Sequence, residues 1–255
     1  MKRIFLIGFS VGFLTMAADA PYLGNWKMNA TKSNFGEMTV SYESLSAGEM
    51  KVMADGQSWT FKTDGKDYAT PWGMTQAWTA AGDRGWGITE KTNGKVSATS
   101  TAKISADGKT MTVESKRVKA DGGTSDETVT FQRVSGSTGL AGKWKTQKMT
   151  ASSPETLSLT AKGTDGLTIM IGNEGAKCEA KYDGKDNPAN GTLFPAGWTC
   201  AVAKNGPQAF DLTWKKEGKP MYKSTFTASA DGKTLTETGS AVGVNEKYSM
   251  VYDRQ

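Results

Sequence analysis

The chain has 255 residues, with 31 Lys and Arg against 26 Asp and Glu, 2 Cys and no His. Without His it lacks the usual general base, the Ser-His-Asp and Cys-His arrangements, and the commonest transition-metal ligand. Two Cys alone build no zinc site, and no Asp-rich calcium loop or phosphate-cradling Gly motif occurs, so neither a metal nor a cofactor is expected.

In chain order, the first element is an export signal. Lys2 and Arg3 precede an uncharged, mostly apolar run from Ile4 to Met16, and small residues follow at Ala17, Ala18 and Ala20. That run of 13 residues is shorter than the roughly 20 needed to span a bilayer. Residues 1–20 are therefore expected to be removed, leaving a periplasmic or extracellular protein free of the membrane. The remainder keeps 29 basic and 25 acidic residues. Its Lys residues are scattered, so no nucleic-acid partner is expected.

Beyond the signal, period two dominates, in a chain with 32 Thr and 30 Gly. Met38, Val40 and Tyr42 alternate with polar neighbours, as do Trp59 and Phe61, then Val129 and Phe131. The same holds for Leu167, Ile169 and Ile171, for Phe210, Leu212 and Trp214, and for Tyr248, Met250 and Tyr252. Such runs predict antiparallel strands with one face on a core and one in water. Asp-Gly in "SADGKT" supplies the positive φ of a tight hairpin.

The wording repeats. "LGNWK" (23–27) returns as "AGKWK" (141–145), "DGKDY" (64–68) as "DGKDN" (183–187), "SADGKTMT" (105–112) as "SADGKTLT" (229–236), and "TFQR" (130–133) as "VYDR" (251–254). Four matches in one order indicate a tandem duplication. The expected units are residues 21–134 and 140–255, joined by the "SGSTG" linker at 135–139 and folding separately. Each predicts an all-β antiparallel meander closed into a barrel, which removes exposed edges. Two β-sandwiches, or one composite sheet, are the alternatives.

Gly-x-Trp at the start of each unit and Arg at its end resemble the lipocalin-like (calycin-type) barrels. "NWKMNATKSNF", "DGKDY" and "VYDRQ" are similar to such domains in secreted bacterial proteins. The resemblance implies a Trp plugging a closed end with an Arg across its ring, here Trp26 with Arg133 and Trp144 with Arg254.

The expected function is that of an exported, non-catalytic protein holding a small apolar ligand in a barrel. Trp59, Phe61, Trp78, Trp86 and Ile88 are the candidate lining of the first unit, and Phe210 and Trp214 of the second. A second reading is a cell-envelope interaction module with filled barrels, presenting Trp72 and Trp198 as an exposed aromatic surface. The third, an enzyme built on carboxylates, has least support, since the "DGKD" aspartates sit in turn wording. Finally, Cys178 aligns with Trp59 and Cys200 with Trp78. Two positions facing each other across strands predict a Cys178–Cys200 disulfide in an oxidising compartment.

Overall fold

The computed structural model describes residues 20–255 apart from Glu37, Ser137 and Leu193; the expected export signal lies outside the described residues. Among the described residues the predicted alternation becomes twenty strands. The first repeat gives β1 (Gly24–Met28), β2 (Thr39–Ser44), β3 (Glu49–Ala54), β4 (Gln57–Lys62) and β5 (Asp64–Ala69). It continues with β6 (Thr75–Ala80), β7 (Gly85–Thr92), β8 (Lys95–Ile104), β9 (Thr110–Val118) and β10 (Thr124–Ser135). The second repeat gives β11 (Gly142–Ala151), β12 (Thr156–Lys162), β13 (Gly166–Ile171), β14 (Ala176–Lys181) and β15 (Asn187–Asn190). It ends with β16 (Trp198–Lys204), β17 (Ala209–Lys216), β18 (Lys219–Ala228), β19 (Thr234–Ala241) and β20 (Tyr248–Arg254).

All pairings are antiparallel, and they build two barrels of ten strands each. In the first the order is β4-β3-β2-β11-β10-β9-β8-β7-β6-β5, and its two outer strands, β4 and β5, are not hydrogen-bonded to each other. The second is fully closed and runs from β1 through β12 to β20. Neither barrel coincides with one repeat. The leading strands are exchanged: β1 pairs with β12 and β20, while β11 pairs with β2 and β10.

This corrects the expected division at residues 135–139. That stretch is the loop of the β10–β11 hairpin, closed by the pairing of Ser135 with Lys143. The exchange is produced by the segment after β1, which crosses to the other barrel instead of turning back. It is pinned where it crosses. Asn34 and Ser249 exchange two backbone hydrogen bonds of 2.7 Å, and Val251 N donates to Ser33 Oγ at 2.9 Å. The residues between β11 and β12 cross in the opposite direction. Each barrel therefore owes one of its strands to the other repeat, so the two barrels are not the two expected units.

The closed ends follow the same exchange. The Arg254 guanidinium lies 4.2 Å from the Trp26 ring centre and that of Arg133 lies 4.0 Å from Trp144, so the expected partners are crossed over. Both Trp side chains are fully buried, and each indole N–H donates at 2.9 Å to a carbonyl four residues earlier, Tyr22 or Leu140. The Gly before each Trp is obligatory. Gly24 and Gly142 have φ of +138° and +130°, and a Cβ there would collide with the Arg254 guanidinium or with the Ser135 carbonyl.

The repeated "SADGKT" turns complete these ends. Arg133 Nε donates to Gly108 O and Arg254 Nε to Gly232 O, the glycines of the two copies. Each turn is fixed internally by Ser105 Oγ to Asp107 and Ser229 Oγ to Asp231, both at 2.6 Å. The phrase recurs because each barrel uses this turn to hold the arginine that covers its tryptophan.

Candidate functional site

Strand register lets equivalent positions of the two barrels be matched one by one. Gly24 stands opposite Leu159 as Gly142 stands opposite Tyr42, so Tyr42 and Leu159 are counterparts. Continuing around the sheets matches Trp59 with Cys178, Trp86 with Phe210, Ile88 with Leu212, Val113 with Glu237 and Phe131 with Tyr252. All face the barrel interior, because they share faces with core residues such as Val52, Phe61 and Met111.

The two interiors are packed differently. In the second barrel Leu159, Cys178, Phe210, Leu212, Glu237 and Tyr252 are all buried, none more than 9% exposed. In the first barrel their six counterparts are only partly buried. Partial exposure of inward side chains marks looser packing than in the second barrel, in a sheet that is open between β4 and β5. Of the candidate lining, Phe61 and Trp78 are buried, their rings 4.4 Å apart, while Trp59, Trp86 and Ile88 flank them. Phe210 belongs instead to the solid core of the second barrel, and Trp214 packs on its edge. The indole N–H of Trp59 and the hydroxyl of Thr146, both on the inner face of the first barrel, are buried and have no partner among the described residues.

At the inner ends of the barrels the same positions carry opposite chemistry. The first barrel has Gln76, Glu90, Arg117 and Glu127, with Arg117 Nε donating to Glu127 at 2.7 Å and Gln76 to Glu90 at 3.2 Å. Their counterparts are Cys200, Trp214, Ala241 and Tyr248. This match corrects the alignment of Cys200. Val202 stands opposite Leu212 as Trp78 stands opposite Ile88, so Val202 replaces Trp78 and Cys200 replaces Gln76.

The disulfide itself forms, with the Cα atoms of Cys178 and Cys200 6.4 Å apart. It reaches over β15, which pairs with each neighbour at only two positions. The equivalent place in the first barrel is the unpaired β4–β5 seam. Reduction is expected to destabilise the second barrel by about 3 kcal/mol, the loop-closure value for the 22-residue separation. Urea unfolding with and without reductant measures this, and an unchanged midpoint contradicts it. The bond is of the kind that oxidising compartments permit.

The barrels meet through aromatic side chains. Trp72, in the β5–β6 loop, donates its indole N–H to Tyr222 OH at 2.8 Å, and Trp198 donates to the Trp72 carbonyl at 2.9 Å. Trp59 and Trp72 make an edge-to-face pair at 5.2 Å, and Trp198 stacks on Tyr222. Trp72 and Trp198 thus form an internal contact between barrels, not an exposed docking surface. The "DGKD" aspartates bind locally: Asp64 accepts from Lys66 N and Tyr68 OH, and Asp186 pairs with Lys215 at 2.5 Å.

Beside this contact, four carboxylates gather from both sides. Glu90 and Glu127 come from the first barrel, Glu155 precedes β12, and Glu174 sits in the β13–β14 turn, whose Asn173 carbonyl accepts from Ala120 N at 2.8 Å. Crowding by protein and repulsion from Glu155, Glu90 and Glu127, against attraction from Arg117, push the Glu174 pKa to about 7. Its side chain also has an open side, where water screens part of the repulsion, so the effect on stability is modest. A carboxyl raised in the folded state holds a proton that the unfolded chain has released. Stability from this group is present below the unfolded value near 4.5 and is lost as pH rises through 7. Glu174→Gln is expected to flatten the decline in urea stability between pH 5 and 7.5, and an unaltered slope refutes the assignment.

A cleft of about 910 Å³ opens between the barrels. Its wall combines the inner end of the second barrel (Met28, Met250, Tyr252) with that of the first (Met149) and with the outer face of β2 and β3 (Ser41, Lys51, Met53). None of the seven ligand-lining candidates borders it. Its most visible sequence signal is methionine, since five of the ten Met beyond residue 20 line it.

No protein-family model matches this chain, and no curated protein matches it. Among solved structures it is similar to a crystal structure of a "putative outer membrane protein" from Bacteroides fragilis NCTC 9343. Identity is 11% over 91% of this chain and 97% of that one, with a TM-score of 0.20. Superposition of that quality transfers neither fold nor role.

Proposed function

We propose that the protein is an exported, non-catalytic binding protein that holds a small apolar ligand inside its first barrel, with the second barrel as a solid, disulfide-tied scaffold. The observation that carries this is the contrast in burial between matched inward positions: Tyr42, Trp59, Trp86, Ile88, Val113 and Phe131 are partly buried where their counterparts are sealed. Aromatic and aliphatic walls with a few polar groups suit such a ligand. The unpartnered Trp59 N–H adds a donor for an acceptor atom on it. Absence of His supports the non-catalytic part. The export segment and the disulfide support the location.

Filling experiments test the reading. Ile88→Phe adds volume where there is space, so stability should stay within about 0.5 kcal/mol while saturable binding of the neutral probe N-phenyl-1-naphthylamine weakens at least tenfold. Leu212→Phe, at the matched position of the sealed barrel, should cost about 1–3 kcal/mol by overpacking. Equal destabilisation by both substitutions, or a probe that never saturates the wild type, disproves the proposal.

A further inference from the structure

We infer that the ligand of the first barrel is a neutral, largely apolar carbonyl compound, of the ketone or ester class, whose oxygen accepts hydrogen bonds from Trp59 and Tyr42. The inference rests on the binding function proposed above and names the chemistry that the site selects.

Three polar groups on the inner face of the first barrel go unused. The Trp59 indole N–H and the Thr146 hydroxyl are buried without a partner among the described residues, and the Tyr42 hydroxyl makes no hydrogen bond among them either. Their counterparts in the second barrel are Cys178, Met28 and Leu159. The sealed barrel thus offers no free N–H or O–H at any of the three positions, its Cys178 being held in the disulfide. Unpaired inward polar groups and loose packing fall in the same barrel. A buried donor left unpaired is costly, and a bound acceptor removes that cost.

Register places two of these groups in one row. Tyr42 stands opposite Val52 and Val52 opposite Trp59, so phenol, isopropyl and indole lie side by side across β2, β3 and β4. Two strand spacings, roughly 10 Å, separate the backbones at the ends of the row, and on a concave face long side chains converge over its middle. The apolar body of the ligand has an aromatic wall beside it, since Tyr42 meets Trp78 edge to face at 6.2 Å and Trp78 lies 4.4 Å from Phe61.

The donors decide the ligand's chemistry. An indole N–H only donates, so the atom in front of it has to be an acceptor, and a carbonyl oxygen has two lone pairs to share between Trp59 and Tyr42. Desolvation pushes the Tyr42 pKa up, which keeps the phenol a neutral donor. A carboxylate is disfavoured. The cation at the inner end of this barrel, Arg117, already faces Glu127 at 2.7 Å and Glu90 at 3.5 Å, and two carboxylates against one guanidinium leave that end negative. A plain hydrocarbon leaves all three groups unpaired. An uncharged acceptor on an apolar body satisfies both the row and the wall.

The ketone dye 6-propionyl-2-(dimethylamino)naphthalene, and its analogue with a methylene in place of the carbonyl, are titrated into the full-length mature protein and followed by fluorescence. Both should bind saturably. Trp59→Phe should lower the ratio of ketone to methylene affinity about fivefold, the worth of one neutral hydrogen bond, and shift the emission of the bound ketone to the blue. Tyr42→Phe removes a single hydroxyl; it should lower the same ratio at least twofold with an unchanged urea midpoint, and it decides the matter if Trp59→Phe does not fold. A ratio and an emission maximum indifferent to Trp59→Phe overturn the inference and leave the apolar site standing. A lowered urea midpoint in Tyr42→Phe overturns it as well, by showing that the hydroxyl already has a partner in the protein. Absence of saturable binding by both probes overturns the site itself and the inference with it.

Discussion

Residues 20–136 expressed alone will give no cooperative melt, whereas residues 38–152 will. The repeat-based fragment contains β1, which has no partner within it, and lacks β11, which fills the place between β10 and β2. Without β11 the first barrel loses fully buried Trp144 and exposes two strand edges. Residues 38–152 span β2 to β11 and hold the Arg133–Trp144 closure complete. By the same logic residues 153–255 will remain unfolded until a peptide of residues 20–35 supplies β1. Circular dichroism melts of the four species decide the matter. A cooperative transition from residues 20–136 would show that the repeats close on themselves in solution.

Trp26→Ala is expected to destabilise the second barrel by about 3–5 kcal/mol, the usual cost of deleting a large buried aromatic side chain. Although Trp26 belongs to the first repeat, its ring is packed among Leu159, Leu167 and Leu235 in the core of the second barrel. The informative measurement is a double-mutant cycle. Trp26→Ala with Arg254→Lys should show coupling of about 0.5–2 kcal/mol through the lost cation–π contact, and Trp26→Ala with Arg133→Lys should be additive. Coupling to Arg133 in place of Arg254 would reverse the assignment of the closed ends.

Why the exchange escaped the sequence is instructive. Alternation in runs such as Leu167–Ile171 predicts a strand and its buried face, and the Asp-Gly turns predict where it reverses, because both signals are local. The repeated wording hides the remaining information. Trp26 and Trp144 stand in nearly identical wording, so each is an equally good plug for either arginine, and no pattern of period two distinguishes the partners. What selects between them is the path of residues 29–34, whose contacts to Ser249 and Val251 are long-range. The disulfide was legible from compartment and pairing. The place of Cys200 was not, because residues inserted before β16 leave the alignment free to slide by two, a step that preserves the inward face. The looser packing around Trp86 and Ile88 was hidden for another reason. Inward aromatic residues in alternation specify a core equally well whether its centre is filled or empty. The cleft has no contiguous signature at all, since Met28, Met149 and Met250 come from three distant strands.

The crossed strands also impose an order on folding during synthesis. As the chain emerges from its N-terminus, the first barrel possesses all its strands once Ala151 has passed, so it can close while the rest is still being delivered. The second cannot. Its opening strand, β1, appears first and must wait for Leu157 on one side and Arg254 on the other, a sequence separation of more than 200 residues for the latter. Closing so long a loop is slow compared with forming local hairpins. For that interval Trp26 stays in water or in the care of a chaperone, and the last strand delivered is the one that buries it.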